Sequence, residues 1–376
     1  MIYASQFSGG VPFGSYVRGR NLEAPEYERL DGRTKVRTDN LRLSGKYPLG
    51  KLTGTIRTLA ASPTANPVIA TANHFDAAGA TTANAVQFSS DGASWATSAT
   101  GGTATVSALI QTPTRLIALS STAQASIASS NLTPAATWAN TTGGPTSVTA
   151  GSSMCRGCYH AAGARVVAVH PTLGVYTLDD GSTAWTTRTS SARQGVASMG
   201  SRLIGITAGS ATASMSLDNA VTWTDFTLLE ALSANQGNIA SNNAGIAGIT
   251  GSPSGIQVTY DNGDTWRFVQ IPGVQPSDAL RIQFSDGYFM VPTPKGLAMS
   301  TDLRNWQIDP TQVQSLATAV GVAKKGSTIV QIPGGSTTAY SLLESSTEYR
   351  LPDVQEFSPS VSGVPTPLDP TFIKAL

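Results

Sequence analysis

Apolar residues along this chain come in short runs separated by Gly, Pro, Asn, Asp, Ser and Thr. Gly287-Tyr288-Phe289-Met290-Val291 is one such run, followed by Gly296-Leu297-Ala298-Met299-Ser300. Arg165-Val166-Val167-Ala168-Val169 precedes Gly174-Val175-Tyr176-Thr177, and Arg202-Leu203-Ile204-Gly205-Ile206 precedes Ala213-Ser214-Met215-Ser216. Short, β-branched runs bounded by turn formers predict strands. Leu228-Leu229-Glu230-Ala231-Leu232 alone suggests a helical turn, placed between repeats for packing rather than as a partner site.

The strand pattern has a long period. Six tryptophans fall at 95, 138, 185, 223, 266 and 306, and each closes a similar turn. The best copies are Ser216-Leu217-Asp218-Asn219-Ala220-Val221-Thr222-Trp223 and Thr259-Tyr260-Asp261-Asn262-Gly263-Asp264-Thr265-Trp266. Shorter ones are Ser89-Ser90-Asp91-Gly92-Ala93-Ser94-Trp95 and Ser300-Thr301-Asp302-Leu303-Arg304-Asn305-Trp306, with looser relatives at 129–138 and 177–185. A period of about 40–45 residues with four short strands per unit is the signature of a β-propeller. Tyr349 follows Trp306 at the same interval and predicts a seventh unit. Counting back from Trp95 places the first strand of the first unit near Gly54-Thr55-Ile56-Arg57. The predicted fold class is all-β: a seven-bladed β-propeller over 52–350, with an extended basic arm at 1–51 and a Pro-rich tail at 351–376.

The turn chemistry is local. Its Asp carboxylate and Ser or Thr hydroxyl can accept backbone N–H groups between the third and fourth strands, while the aromatic packs between neighbouring sheets. Burying one indole contributes on the order of 4–6 kcal/mol by area. These turns resemble the Asp-box, or BNR, repeat of sialidases, glycosidases, sortilin-like receptors and many phage proteins. The resemblance implies structural roles on the periphery for Asp91, Trp95, Trp138, Asp179, Trp185, Asp218, Trp223, Asp261, Trp266, Asp302, Trp306 and Tyr349.

Charge narrows the function classes. Lys, Arg, Asp and Glu make up only 12% of 376 residues and the formal net charge is +1. That gives no global attraction to nucleic acid or membrane. No apolar stretch approaches 18 residues, and the start lacks the pattern of a cleaved secretory signal, so assembly in a cytoplasm is expected. Residues 1–50 carry eight basic and five acidic side chains, whereas 351–376 carry one basic and three acidic. The two ends thus differ in sign.

Catalysis has little to work with. Asp-box sialidases use three arginines, a Tyr–Glu nucleophile pair and an acid–base Asp. They also carry an Arg-Ile-Pro signature, against Thr55-Ile56-Arg57-Thr58 in this chain. The predicted propeller has three glutamates, Glu230, Glu344 and Glu348. A glycosidase needs two facing carboxyls, for which Glu230 with Asp278 or Asp286 is the available set. Cys155-Arg156-Gly157-Cys158-Tyr159-His160 offers a C-x-x-C, but zinc wants four ligands and the remaining histidines are His74 and His170. A turn bringing two thiols together is the simpler reading. No catalytic residue, cofactor or metal is expected, and the alternative is an Asp-box glycoside hydrolase, sialidase-like or polysaccharide-degrading. A cellular interaction scaffold is a third class.

Both ends of the propeller fall at one seam. Glu26-Tyr27-Glu28-Arg29-Leu30-Asp31-Gly32-Arg33, then Tyr47-Pro48-Leu49, then Tyr349-Arg350-Leu351-Pro352-Asp353, resemble in order the motifs of a phage tail-collar or tail-fibre module. The closing Thr371-Phe372-Ile373-Lys374-Ala375-Leu376 is similar to tail-fibre C-termini. The resemblance implies a virion protein of the phage tail, with the propeller inserted in a small collar-like module. It also implies other tail proteins as partners, a homo-oligomer with a trimer as the expected form, and a host-surface glycan or protein as receptor. The expected subunit-docking residues are Tyr27, Arg29, Asp31, Arg33, Arg37, Arg42, Phe372 and Lys374.

Overall fold

The computed structural model describes 85–309 apart from short gaps (93, 100–105, 121–125, 134–135, 147–155, 190, 208, 234–237 and 277–280). It also describes 319–333, 338–343 and the short strands at 16–18, 27–29, 34–36, 55–58, 68–70, 75–78, 348–350 and 371–374. The chain divides into two units. One is Gly54–Leu342, and the other combines Met1–Thr53 with Leu343–Leu376.

The terminal unit contains β1 (Tyr16–Arg18), β2 (Tyr27–Arg29) and β3 (Thr34–Val36) from the N-terminal side. The central unit begins with β4 (Thr55–Thr58). Sheet I is β5 (Val68–Ala70), β6 (Phe75–Ala78), β7 (Ala85–Ser89) and β8 (Ala96–Ala99). Sheet II is β9 (Val106–Gln111), β10 (Leu116–Ser120), β11 (Ile127–Ser129) and β12 (Trp138–Asn140). Sheet III is β13 (Gly157–His160), β14 (Arg165–His170), β15 (Gly174–Asp179) and β16 (Thr186–Thr189), with a 3-10 turn at Ala161–Gly163. Sheet IV is β17 (Gly195–Met199), β18 (Arg202–Ile206), β19 (Thr212–Ser216) and β20 (Thr224–Thr227). Sheet V is β21 (Asn238–Ser241), β22 (Ala247–Ser252), β23 (Gly255–Thr259) and β24 (Arg267–Val269). Sheet VI is β25 (Gln283–Ser285), β26 (Tyr288–Thr293), β27 (Gly296–Ser300) and β28 (Gln307–Asp309). Sheet VII takes β29 (Ala319–Lys325), β30 (Thr328–Pro333) and β31 (Thr338–Leu343). The last strands are β32 (Glu348–Arg350) and β33 (Thr371–Lys374).

Sheets I to VI each pair four consecutive strands in sequence order, all antiparallel. In the unbroken run of five from sheet II to sheet VI, the first strands β9, β13, β17, β21 and β25 lie side by side in that order. Four-stranded meanders stacked about a common line of inner strands make this an all-β propeller. The first three strands of a sheet are buried on both faces, as in β17, β22 and β27. The outer strands β20 and β24 are exposed along most of their length. The core therefore lies between sheets, in clusters such as Met199, Ile204, Ile206, Ala213, Ile239 and Ile249 between IV and V.

Two expectations change. Thr55–Thr58 does not open the first unit: β4 pairs with β31 and completes sheet VII from outside, Tyr340 facing Ile56. Tyr349 does not occupy the outer strand of a seventh unit either, because β32 pairs with β3, Lys35 facing Tyr349. A strand from the beginning of the unit takes the outer place, so the chain after β31 is released into the other unit. Leu228–Leu232 is not helical. Its Leu228 and Leu232 are nevertheless buried, against the cluster between IV and V.

Candidate functional site

The recurring turns lie between third and fourth strands, as their chemistry required. Ser216 Oγ donates to Asp218 Oδ1 (2.9 Å) and accepts the Ala220 N–H (2.9 Å). The Thr222 N–H and Oγ1 donate to Asp218 at 2.8 and 2.6 Å, and Trp223 Nε1 donates to Ala220 O. Thr259, Asp261, Gly263, Thr265 and Trp266 repeat the same set. Asp302 holds the Arg304 and Asn305 N–H groups and the Asn305 side chain, and Asp91 takes Ser89 Oγ and the Ser94 N–H, while Trp95 Nε1 bonds Gly92 O. Burial alone would raise the carboxyls of Asp218, Asp261 and Asp302, but the hydrogen bonds outweigh it and hold all three below the usual range. A carboxylate saturated by its own turn is a poor acid or base.

The looser copies differ. Asp179 forms an ion pair with Arg165 at 3.0 Å rather than holding its own turn. Trp185 is buried, and its Nε1 reaches back to Ser126 Oγ and Thr141 Oγ1 of sheet II. Before Trp138, Asn131 replaces the Asp and its Oδ1 accepts from Thr133.

One group has the connectivity of a nucleophile, base and orienting residue. His160 Nδ1 lies 3.0 Å from Ser198 Oγ, and its Nε2 lies 2.9 Å from Asn219 Oδ1. However, His160 is 0% exposed and Ser198 3%, so no substrate can reach them. Desolvation lowers the His160 pKa, the Asn219 hydrogen bond opposes that, and the Arg165 charge reinforces it. The imidazole is a neutral bolt between sheets III and IV. With both ring nitrogens engaged it is not available to zinc. Cys158 is half-buried in β13, while Cys155 and His74 lie outside the described residues. Among the described residues no His, Cys, Asp and Glu side chains group to hold a metal.

The carboxylates weighed for glycoside hydrolysis do not converge. Glu230 lies between β20 and β21 and accepts from the Ser254 N–H (3.0 Å) and Oγ (3.2 Å) in the β22–β23 turn. Asp286 lies in the β25–β26 hairpin, accepting from the Gly326 N–H (2.8 Å) and Lys324 Nζ (3.4 Å). In antiparallel sheets of one sense, those two turns fall at opposite ends of the strands. Asp278 lies outside the described residues.

Four of the expected docking residues come together in the terminal unit. β33 pairs with both β1 and β2, so Tyr27 faces Lys374 and Arg29 faces Phe372 along the backbone. Asp31, Arg33, Arg37 and Arg42 lie outside the described residues.

Sequence reading missed the arginines at the start of second strands. Arg115 Nη2 reaches Asp179 O (3.4 Å) and Ser182 O in the turn of the next sheet. Arg165 reaches Asn219 O, and Arg202 reaches Asn262 O and Asp264, each one sheet onward. The only available signal was position, an Arg just before or opening the second apolar run. A second motif was also missed: the Arg267 and Arg304 guanidinium carbons each lie 4.2 Å from the Tyr260 ring centroid, where sheets V and VI meet.

No family model matches the chain, and no curated protein matches it. Solved structures do share its fold. YCF48 bound to D1 peptide is 12% identical, with a TM-score of 0.55 over 78% of this chain and 96% of that one. A catalytically inactive virginiamycin B lyase from Staphylococcus aureus with quinupristin is also 12% identical, with a TM-score of 0.57 over 78% and 99%. A GH74 xyloglucanase from Xanthomonas campestris is 14% identical, with a TM-score of 0.51 over 78% and 43%. At these identities the likeness concerns the propeller fold alone. No helix among the described residues is long and apolar enough to cross a membrane.

Proposed function

We propose that this chain is a non-enzymatic virion protein of a phage tail, whose Asp-box propeller is displayed for host-surface receptor binding or tail bracing. The observation that carries the reading is the pairing of the segments on either side of the propeller. β2, in the first half of the Glu26-to-Arg33 motif, pairs with β33 of the tail-fibre-like C-terminus. β3 pairs with β32, which opens the Tyr349–Asp353 motif. Segments that bracket the propeller in sequence thus pair with each other, as one small module with an inserted propeller requires. The reading includes a single ring of seven blades, supported by β5 lying against β29 on one side and β9 on the other.

Non-catalytic use agrees with the chemistry. The Asp218, Asp261 and Asp302 carboxylates cap their own turns, Glu230 caps another, and His160 is sealed. The neighbouring folds include a peptide-bound protein and two enzymes, so fold alone favours neither class. Mass spectrometry of purified particles from the source tests the reading: the full chain is expected among tail proteins. Deleting residues 1–50 is expected to abolish incorporation, and normal incorporation of the shortened chain refutes the docking role. Release of sugar from surface polysaccharide that disappears in Glu230→Ala establishes the glycoside hydrolase instead.

A further inference from the structure

The meeting of sheets V and VI carries charge chemistry that the fold does not use. Val258 pairs with Arg267, which puts Arg267 on the same face as Tyr260 two residues along from Val258. Tyr260, like Trp306, packs against the buried cluster that includes Ile256, Val258 and Leu303. The next sheet supplies Arg304 from its turn, where Leu303 is wholly buried and fixes the backbone beside it. Both arginines are exposed.

Stacking on a ring orders a guanidinium plane but leaves its in-plane N–H fork open, in the geometry that grips carboxylate or phosphate oxygens. Among the described residues neither arginine has an acidic partner, whereas Arg165, Arg193, Arg202 and Lys324 do. Two like charges over one ring without a counter-ion disfavour each other, and an anion within reach removes that cost. Structural need does not explain the arrangement. The residues matching Tyr260 and Arg267 in sheet IV are Leu217, 69% exposed, and Thr224.

We propose that Arg267, Tyr260 and Arg304 form a binding site for an acidic polysaccharide, two neighbouring anionic groups lying on the two guanidinium forks. A polymer with repeated anions fits two forks better than a free ion. Only Arg267 and Arg304 meet at Tyr260, which suits two neighbouring anions rather than the longer run of phosphate contacts on which nucleic-acid affinity rests. This deepens the receptor-binding reading by giving the receptor a chemistry. The test needs no particles, so its failure and the failure of tail association are separate results.

The full-length protein is titrated calorimetrically with oligogalacturonate, neutral dextran oligomers, inorganic phosphate and an oligothymidylate. Oligogalacturonate is expected to bind and dextran not to bind. Arg267→Gln and Arg304→Gln should each weaken binding about tenfold. Tyr260→Phe should leave it unchanged, and Tyr260→Leu should weaken it with both arginines present, as fits a positioning residue. Unchanged thermal midpoints in the two arginine variants show that the fold is intact. The proposal is overturned if oligogalacturonate does not bind, or if the double arginine variant binds as the parent does. It is also overturned if phosphate or the oligothymidylate binds as tightly.

Discussion

Leu303 fills the hollow that Gly248 leaves in the neighbouring sheet: a Cβ on Gly248 would stand 3.1 Å from Leu303 Cδ1 and 2.9 Å from Ile282 Cδ1. Leu303 is wholly buried even though its φ is 59°, so packing between sheets V and VI outweighs the strain of a left-handed leucine.

Leu303→Ala should therefore destabilise the central unit by about 2–4 kcal/mol in urea unfolding. Gly248→Ala should cost about 1–3 kcal/mol through overpacking. In the double variant the new methyl occupies space the leucine vacated, so the combined loss should fall below the sum. Strict additivity would show that the two residues do not share that space.

Acid should loosen the joint between sheets III and IV. The folded His160 pKa lies below the ordinary histidine value of 6.5, so on acidification the unfolded chain takes up this proton first. Stability is then full above about pH 6.5 and falls as pH drops from there toward the folded pKa. His160→Gln keeps polar atoms on both sides without titrating. Its urea midpoint, measured from pH 7.5 to 5, should show a shallower slope than the parent.

The turn carboxylates act in a lower window. Asp218, Asp261 and Asp302 have depressed pKa values, so their contribution is present above the ordinary carboxylate value and is lost as pH falls through the folded one. Asp261→Ala removes the acceptor for Thr259 Oγ1 and for the Thr265 N–H and Oγ1. It should cost about 1–3 kcal/mol at pH 7, and the difference from the parent should narrow near pH 3 by chemical denaturation.

Arg115 and Arg202 make the same reach from different depths. Arg115 is 7% exposed and hydrogen-bonds two carbonyls of the next sheet, so Arg115→Ala should cost about 2 kcal/mol. The Arg202 side chain is 28% exposed and Asp264 60%. Arg202→Ala should cost about 1 kcal/mol or less, and the cost should shrink in high salt. Equal losses for both would contradict burial as the controlling factor.

What the sequence by itself determined was short-range. The turns at Asp91, Asp218, Asp261 and Asp302 close through hydrogen bonds between residues at most four positions apart, so residue identities in order suffice to read them. The strands before them follow in the same way from short apolar runs bounded by turn formers. Tertiary structure decided what joins one sheet to another. That β4 rather than Tyr349 closes sheet VII, that His160 bolts Ser198 to Asn219, and that Arg304 reaches Tyr260 all depend on partners dozens to hundreds of residues away. Such contacts arise only once the sheets stack, because burial and charge are set by the neighbour a side chain meets, and nothing in the local pattern names that neighbour.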